Sequence, residues 1–96
     1  MSQQQLVDCA VGAYGNFGCD GGYEPFGFLY SDTNPIELAT NYPYTGLDGN
    51  CNYDPSLGIV SSNGFSYALP NSPFSIQAAV MRGPISVSIA ASTNYF

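Results

Sequence analysis

A chain of 96 residues and 10.2 kDa makes one small domain at most, because chains this short bury only about 60–70% of their unfolded surface on folding. Seven acids stand against a single base, Arg82, giving a net charge of −6, which excludes nucleic acid and anionic membrane surfaces as partners, since both need clustered Lys and Arg. Histidine is absent, so no Ser/His or Cys/His pair and no His-ligated zinc site can be drawn from this chain alone.

Hydrophobic residues make up 45% and aromatics 15%, a globular composition, while eleven Gly and seven Pro predict a loop-rich chain. The apolar runs, such as Ala78 to Met81, fall far short of the roughly 20 residues that cross a bilayer. Met1 leads into Ser-Gln-Gln-Gln, with neither the basic start nor the apolar core of a signal peptide, so targeting information is expected to be missing or upstream.

Ser2 and Gln5 are spaced as a capping box, predicting a short helix over residues 4–11 with Leu6, Cys9 and Ala10 on one face and Gly12 as its stop. Glycines then recur at Gly12, Gly15, Gly18 and Gly21, with Gly22 added. Without proline in the triplets this cannot be collagen; it predicts an irregular loop that needs positive φ or close backbone approach. Glu24-Pro25 opens the next predicted helix, with Phe26, Leu29 and Tyr30 as its apolar face and an end near Ser31. Residues 32–49 read as loop, with one helical turn near Ile36 to Ala39. Gly58 to Tyr67 is a strand candidate broken at Asn63-Gly64. Ser72 and Pro73 start a helix carrying Ile76, Ala79 and Val80, which Arg82-Gly83-Pro84 ends. The alternation Ile85-Ser86-Val87-Ser88-Ile89 then predicts a half-buried strand. A composition shift near Asn63 suggests two lobes.

Candidate chemistry is sparse. Asp48-x-Asn50-x-Asn52 lacks the glycine and glutamate that a calcium loop requires further on, and the three cysteines, Cys9, Cys19 and Cys51, have no C-x-x-C spacing for zinc. Three thiols cannot all pair within one chain. One bridge in an oxidising compartment and three buried reduced thiols both remain open. Gly64-Phe65-Ser66-Tyr67-Ala68 falls one residue short of a nucleophile elbow and has no histidine to serve it. Asp20 and Glu24 are the only close acids beside the glycine loop, and they read as solvated surface carboxylates rather than as an acid/base pair. What remains is part of a binding surface, a bare glycine loop edged by Phe17 and Tyr23, with no metal and no cofactor implied.

Several segments together resemble the papain-like cysteine peptidases, the family of the lysosomal cathepsins. Ser2-Gln3-Gln4-Gln5-Leu6-Val7-Asp8-Cys9 is similar to S-E-Q-x-L-V-D-C, and Gly18-Cys19-Asp20-Gly21-Gly22 to G-C-N-G-G. Tyr42-Pro43-Tyr44 with Cys51 matches Y-P-Y and its downstream cysteine, and Gly83-Pro84-Ile85-Ser86-Val87 resembles G-P-I/V-S-V. Order and spacing agree over essentially the whole chain.

The resemblance implies an α+β, papain-like two-lobe fold in part: the end of the helical left lobe over 1–62 and the start of the β-rich right lobe over 63–96. It implies a fragment of a cysteine endopeptidase whose nucleophile lies upstream and whose histidine lies downstream, about 130–150 residues from that nucleophile, so that this segment alone is inactive. The rival readings are a non-catalytic peptide-binding module, such as a degenerate homologue, and a small secreted structural domain. The family pattern pairs Cys9 with Cys51 and leaves Cys19 to a cysteine upstream. It also assigns substrate binding: Gly21 and Gly22 meet an extended peptide or protein substrate through their backbone, Phe17, Tyr23 and Glu24 edge the side-chain pockets, and Ser88 lies on a pocket wall. Glu24 stands where an apolar residue is usual and would favour a basic substrate side chain; as an acid at a helix start it also has a purely structural role. The parent is expected in the lysosome or vacuole, or outside the cell.

Overall fold

The computed structural model describes residues 1–96, which divide into two compact units, Met1–Phe65 and Ser66–Phe96. The first unit holds α1 (Gln3–Cys9), α2 (Glu24–Thr33), β1 (Ile36–Glu37) and β2 (Gly58–Val60), with 3-10 turns at Gly12–Tyr14, Gly18–Asp20 and Pro55–Leu57. The second unit holds α3 (Pro73–Val80). Helices plus a small antiparallel sheet make the fold α+β.

Ser2 caps α1, its Oγ accepting the Gln5 N–H at 3.1 Å. Only this half of the expected capping box forms. The Ser2 N–H donates instead to the Glu37 carbonyl at 2.8 Å, and the Gln5 side chain turns inward, where its Oε1 accepts the Glu37 N–H at 2.8 Å and its Nε2 donates to Tyr30 Oη at 3.1 Å. The buried face of α1 is therefore Gln4, Gln5, Asp8 and Cys9 rather than one that includes Leu6, which is 37% exposed. A polar face can be buried here because each group finds a partner, without which each would cost about 1–3 kcal/mol.

Helix α2 runs two residues beyond the expected Ser31, to Thr33. Its buried residues are Pro25, Tyr30 and Ser31, while Leu29 is exposed. Tyr30 packs edge-on against Tyr14, with ring centroids 5.0 Å apart, in a core with Cys9, Ala10, Ile36 and Tyr42. The helical turn expected near Ile36 does not form. Ile36–Glu37 is a strand, paired antiparallel with Gly58–Val60 in the register Ile36 to Val60 and Glu37 to Gly58. The backbone of Glu37 is already committed to Gln5 and Ser2, and that holds it extended. The strand candidate over 58–67 shrinks to its first three residues.

In the second unit, Ser72 caps α3 by accepting the Ser75 N–H at 3.1 Å, and Pro73 occupies the first turn, as its sequence predicts. No residue of α3 is buried. Residues 85–89 form no strand, and Val87 and Ile89 are exposed. An alternating pattern yields a strand only when a neighbour takes its N–H and C=O groups, and residues 66–96 contain no second strand.

Candidate functional site

The glycine loop between α1 and α2 is built from two consecutive 3-10 turns. The Gly15 N–H bonds the Gly12 carbonyl at 2.9 Å and the Gly21 N–H bonds the Gly18 carbonyl at 3.3 Å. All four glycines of the triplet series carry positive φ, from +60° at Gly18 to +111° at Gly21, a region that side chains with a Cβ rarely enter. The second turn is closed by Phe17 N–H donating to the Gly21 carbonyl at 2.9 Å.

Both backbone groups of Gly21 are thus engaged within the loop. Those of Gly22 are not: neither its N–H nor its carbonyl joins the hydrogen bonds of the chain. Both glycines are exposed. Phe17, 71% exposed, and Tyr23, 50% exposed, flank them. The Tyr23 ring lies edge-on to Phe26, with centroids 5.4 Å apart, which braces it on the first turn of α2. Glu24 is half-buried as the first residue of α2, the acid at the positive end of the helix.

Five of the residues expected at a substrate site, Phe17, Gly21, Gly22, Tyr23 and Glu24, therefore occupy one continuous segment. Ser88 belongs to the second unit, exposed in chain that is neither helix nor strand.

Two residues of the loop's support carry no sequence signal strong enough to find them. Asn16 Oδ1 accepts the Tyr23 N–H at 2.8 Å and fills the space that a Cβ on Gly22 would need. Asp48 Oδ1 accepts the Cys19 N–H at 2.7 Å across 29 residues. Their sequence context is loop, and such contacts come only with the tertiary fold.

Cys9 and Cys51 form a disulfide, and Cys19 is a free, exposed thiol. Loss of solvent around its sulfur, then the neighbouring carboxylates of Asp48, Asp20 and Asp8, push the Cys19 thiol above its ordinary value. A thiol shifted in this direction is a weaker source of the nucleophilic thiolate than an unperturbed one. The polar recess lined by Gln4, Asp8, Tyr42, Thr45 and Asn52 is a structural junction, its Gln4 and Asp8 side chains engaged with the backbone of residues 45–49.

Comparison with known proteins places these features in context. The family model described as papain family cysteine protease matches residues 1–96. Cathepsin S of Bos taurus is 38% identical over 98 residues, an alignment covering 100% of this chain and 30% of cathepsin S. Cysteine proteinase 7 of Dictyostelium discoideum is 37% identical, covering 100% of this chain and 21% of that protein. The crystal structure of a Carica candamarcensis cysteine protease in complex with E-64 superposes with a TM-score of 0.64 at 26% identity, over 84% of this chain and 36% of that one. The chain thus spans less than a third of the length of these curated relatives.

Proposed function

Because the chain belongs to the papain family of cysteine proteases, we propose that it supplies part of the substrate-binding cleft of an endopeptidase that hydrolyses peptide bonds through a cysteine thiolate and a histidine imidazolium. Residues 1–62 contribute to the left lobe and 63–96 begin the right lobe. The thiolate and imidazolium come from other parts of the parent, since these residues include no histidine to activate a thiol.

The observation that carries the reading is Gly22. Its exposed N–H and carbonyl are unengaged, so an extended peptide can pair with them like an added strand. Phe17 and Tyr23 then border the side-chain pockets on either side, Glu24 biases the adjoining pocket toward a basic side chain, and Ser88 contributes a pocket wall. The Cys9–Cys51 disulfide suits a parent that works in the lysosome, the vacuole or outside the cell, where such bonds persist. No helix is long and apolar enough to cross a membrane.

The test uses the protein expressed at its full gene length, with fluorogenic peptides that differ in the side chain next to the scissile residue. Cleavage is expected, with Gly22→Val raising KM by at least about tenfold, the equivalent of one lost strand-type contact, and Glu24→Leu lowering the preference for basic side chains. Peptide binding without cleavage would point to a non-catalytic binding module. Neither binding nor cleavage would sink the reading.

A further inference from the structure

We infer that Asp48 is a positioning residue that sets the register of the substrate-binding loop. The inference rests on the reading of Gly22 as the substrate contact, and it begins from how Asp48 itself is held. On one side the Leu47 carbonyl accepts Gln4 Nε2 at 2.8 Å; on the other the Gly49 N–H donates to Asp8 Oδ1 at 3.1 Å. Gln4 Oε1 also accepts the Thr45 N–H at 2.9 Å, and Gln4 Nε2 donates to Asp8 Oδ1 at 2.7 Å. Both side chains are buried. Asp48 is therefore flanked by two anchors on α1, and the Cys9–Cys51 disulfide ties down the end of the same segment.

From this fixed base its carboxylate reaches into the glycine loop and accepts the Cys19 N–H at 2.7 Å. The approach is possible because residue 18 is glycine: a Cβ there would overlap Asp48 Oδ1 and lie 3.3 Å from the Val7 carbonyl. Cys19 sits in the 3-10 turn Gly18–Asp20, whose last bond runs from the Gly21 N–H to the Gly18 carbonyl. Gly22 follows directly. A carboxylate accepting a backbone N–H makes a charge-assisted bond, stronger than a neutral one, and it fixes the turn from which Gly22 projects. Loss of that bond frees the loop before a peptide arrives, so the ordering cost moves to the binding step. The expected signature is weaker substrate binding with unchanged chemistry.

The experiment compares Asp48→Ala, Asp48→Ser and Asp48→Asn in the full-length protein. Asparagine keeps a side-chain oxygen at the same reach; alanine and serine do not, and serine stays polar should the alanine variant fold poorly. Asp48→Ala and Asp48→Ser are expected to raise KM about tenfold with kcat within about twofold, and Asp48→Asn to restore KM to within about threefold of the parent. A merely structural role would lower the folded fraction and hence the apparent kcat, leaving KM unmoved. That result, or an unchanged KM in both truncated variants, overturns the inference. Amide hydrogen exchange at Cys19 and Gly21 separates it from the functional reading. If the parent neither cleaves nor binds peptide, the functional reading falls, and Asp48 is judged on exchange alone. Faster exchange in the alanine and serine variants but not in asparagine supports it; equal protection in all variants overturns it.

Discussion

Residues 1–65 and 66–96 use the same local signals with opposite results. Both contain a serine-capped helix, Ser2 before α1 and Ser72 before α3, each Oγ accepting the N–H three residues on at 3.1 Å. The first unit buries twelve residues, Tyr30, Ile36 and Tyr42 among them; the second buries none. The difference is long-range partners. Helix α1 is tied through Gln4, Gln5 and Asp8 to residues 30–49, whereas the side-chain bonds of α3 stay within residues 69–75. A cap starts a helix, but an eight-residue helix is marginal in water until a face is covered.

The strongest way to break this contrast is to reduce the Cys9–Cys51 disulfide. A bridge closing 42 residues constrains the unfolded chain, and its loss is expected to destabilise the first unit by about 2–5 kcal/mol. Amide exchange before and after reduction should show protection collapsing in α1 and α2 while the amides of α3 stay as they were. Equal loss in both units would refute the idea that they differ in their long-range ties.

Next in size is a pair of glutamines. Gln5→Ala removes the partner of the Glu37 N–H, of Tyr30 Oη and of the Pro35 carbonyl at once, and orphaned buried groups of this kind put the expected cost at about 3 kcal/mol. Gln77→Ala in α3 alters an exposed side chain, with an expected change within about 0.5 kcal/mol. Thermal or denaturant unfolding measures both.

The two caps refine the comparison further. Ser72→Ala is expected to cost about 1 kcal/mol of helix stability, visible as lost helicity in the far-ultraviolet signal. Ser2→Ala is expected to cost about 2 kcal/mol, because Ser2 Oγ also donates to the buried Tyr42 carbonyl at 2.7 Å. Similar losses at both sites would show that the cap, not the tertiary bond, dominates at Ser2.

The same division explains what was legible in the sequence. Helix starts were readable because caps and prolines act within four residues: Ser2, Glu24-Pro25 and Ser72-Pro73 each open a helix where expected. The positive-φ glycines were readable for a like reason, as φ depends on the residue itself. Burial was not. The inward turn of Gln4 and Gln5 inverts the expectation that a helix hides its apolar face, because hydrogen-bond partners 25 to 43 residues away make the polar face the satisfied one. Ile36–Glu37 became a strand through Gln5 and residues 58–60, and the alternation at 85–89 found no neighbouring strand. At the candidate site, Phe17, Gly21, Gly22 and Tyr23 were visible as a loop motif, but Asp48 and Asn16 support that loop through contacts that no local pattern encodes.

The smallest expected effect concerns pH, and it separates the two units by charge. All seven acidic side chains lie in residues 1–65 and none in 66–96. Among them, Asp32 is held below the usual carboxylate range by the Ser62 hydroxyl first and the Gly64 N–H second, both of which favour its charged form. A lowered folded-state value stabilises the structure above the ordinary carboxylate pKa, and that stability is lost as pH falls through the lowered value. Acidification should therefore weaken the hold of Asp32 on the Ser62 hydroxyl and the Gly64 N–H before the buried core opens. An amide titration is expected to show the Gly64 resonance moving with a midpoint below that of a free aspartate, with Asp32→Asn abolishing the step. The resonances of α3 should stay flat over the same range, since no side-chain carboxylate of its own unit titrates there. A Gly64 midpoint at or above the free value would mean that Ser62 and Gly64 do not hold the charge of Asp32 in solution.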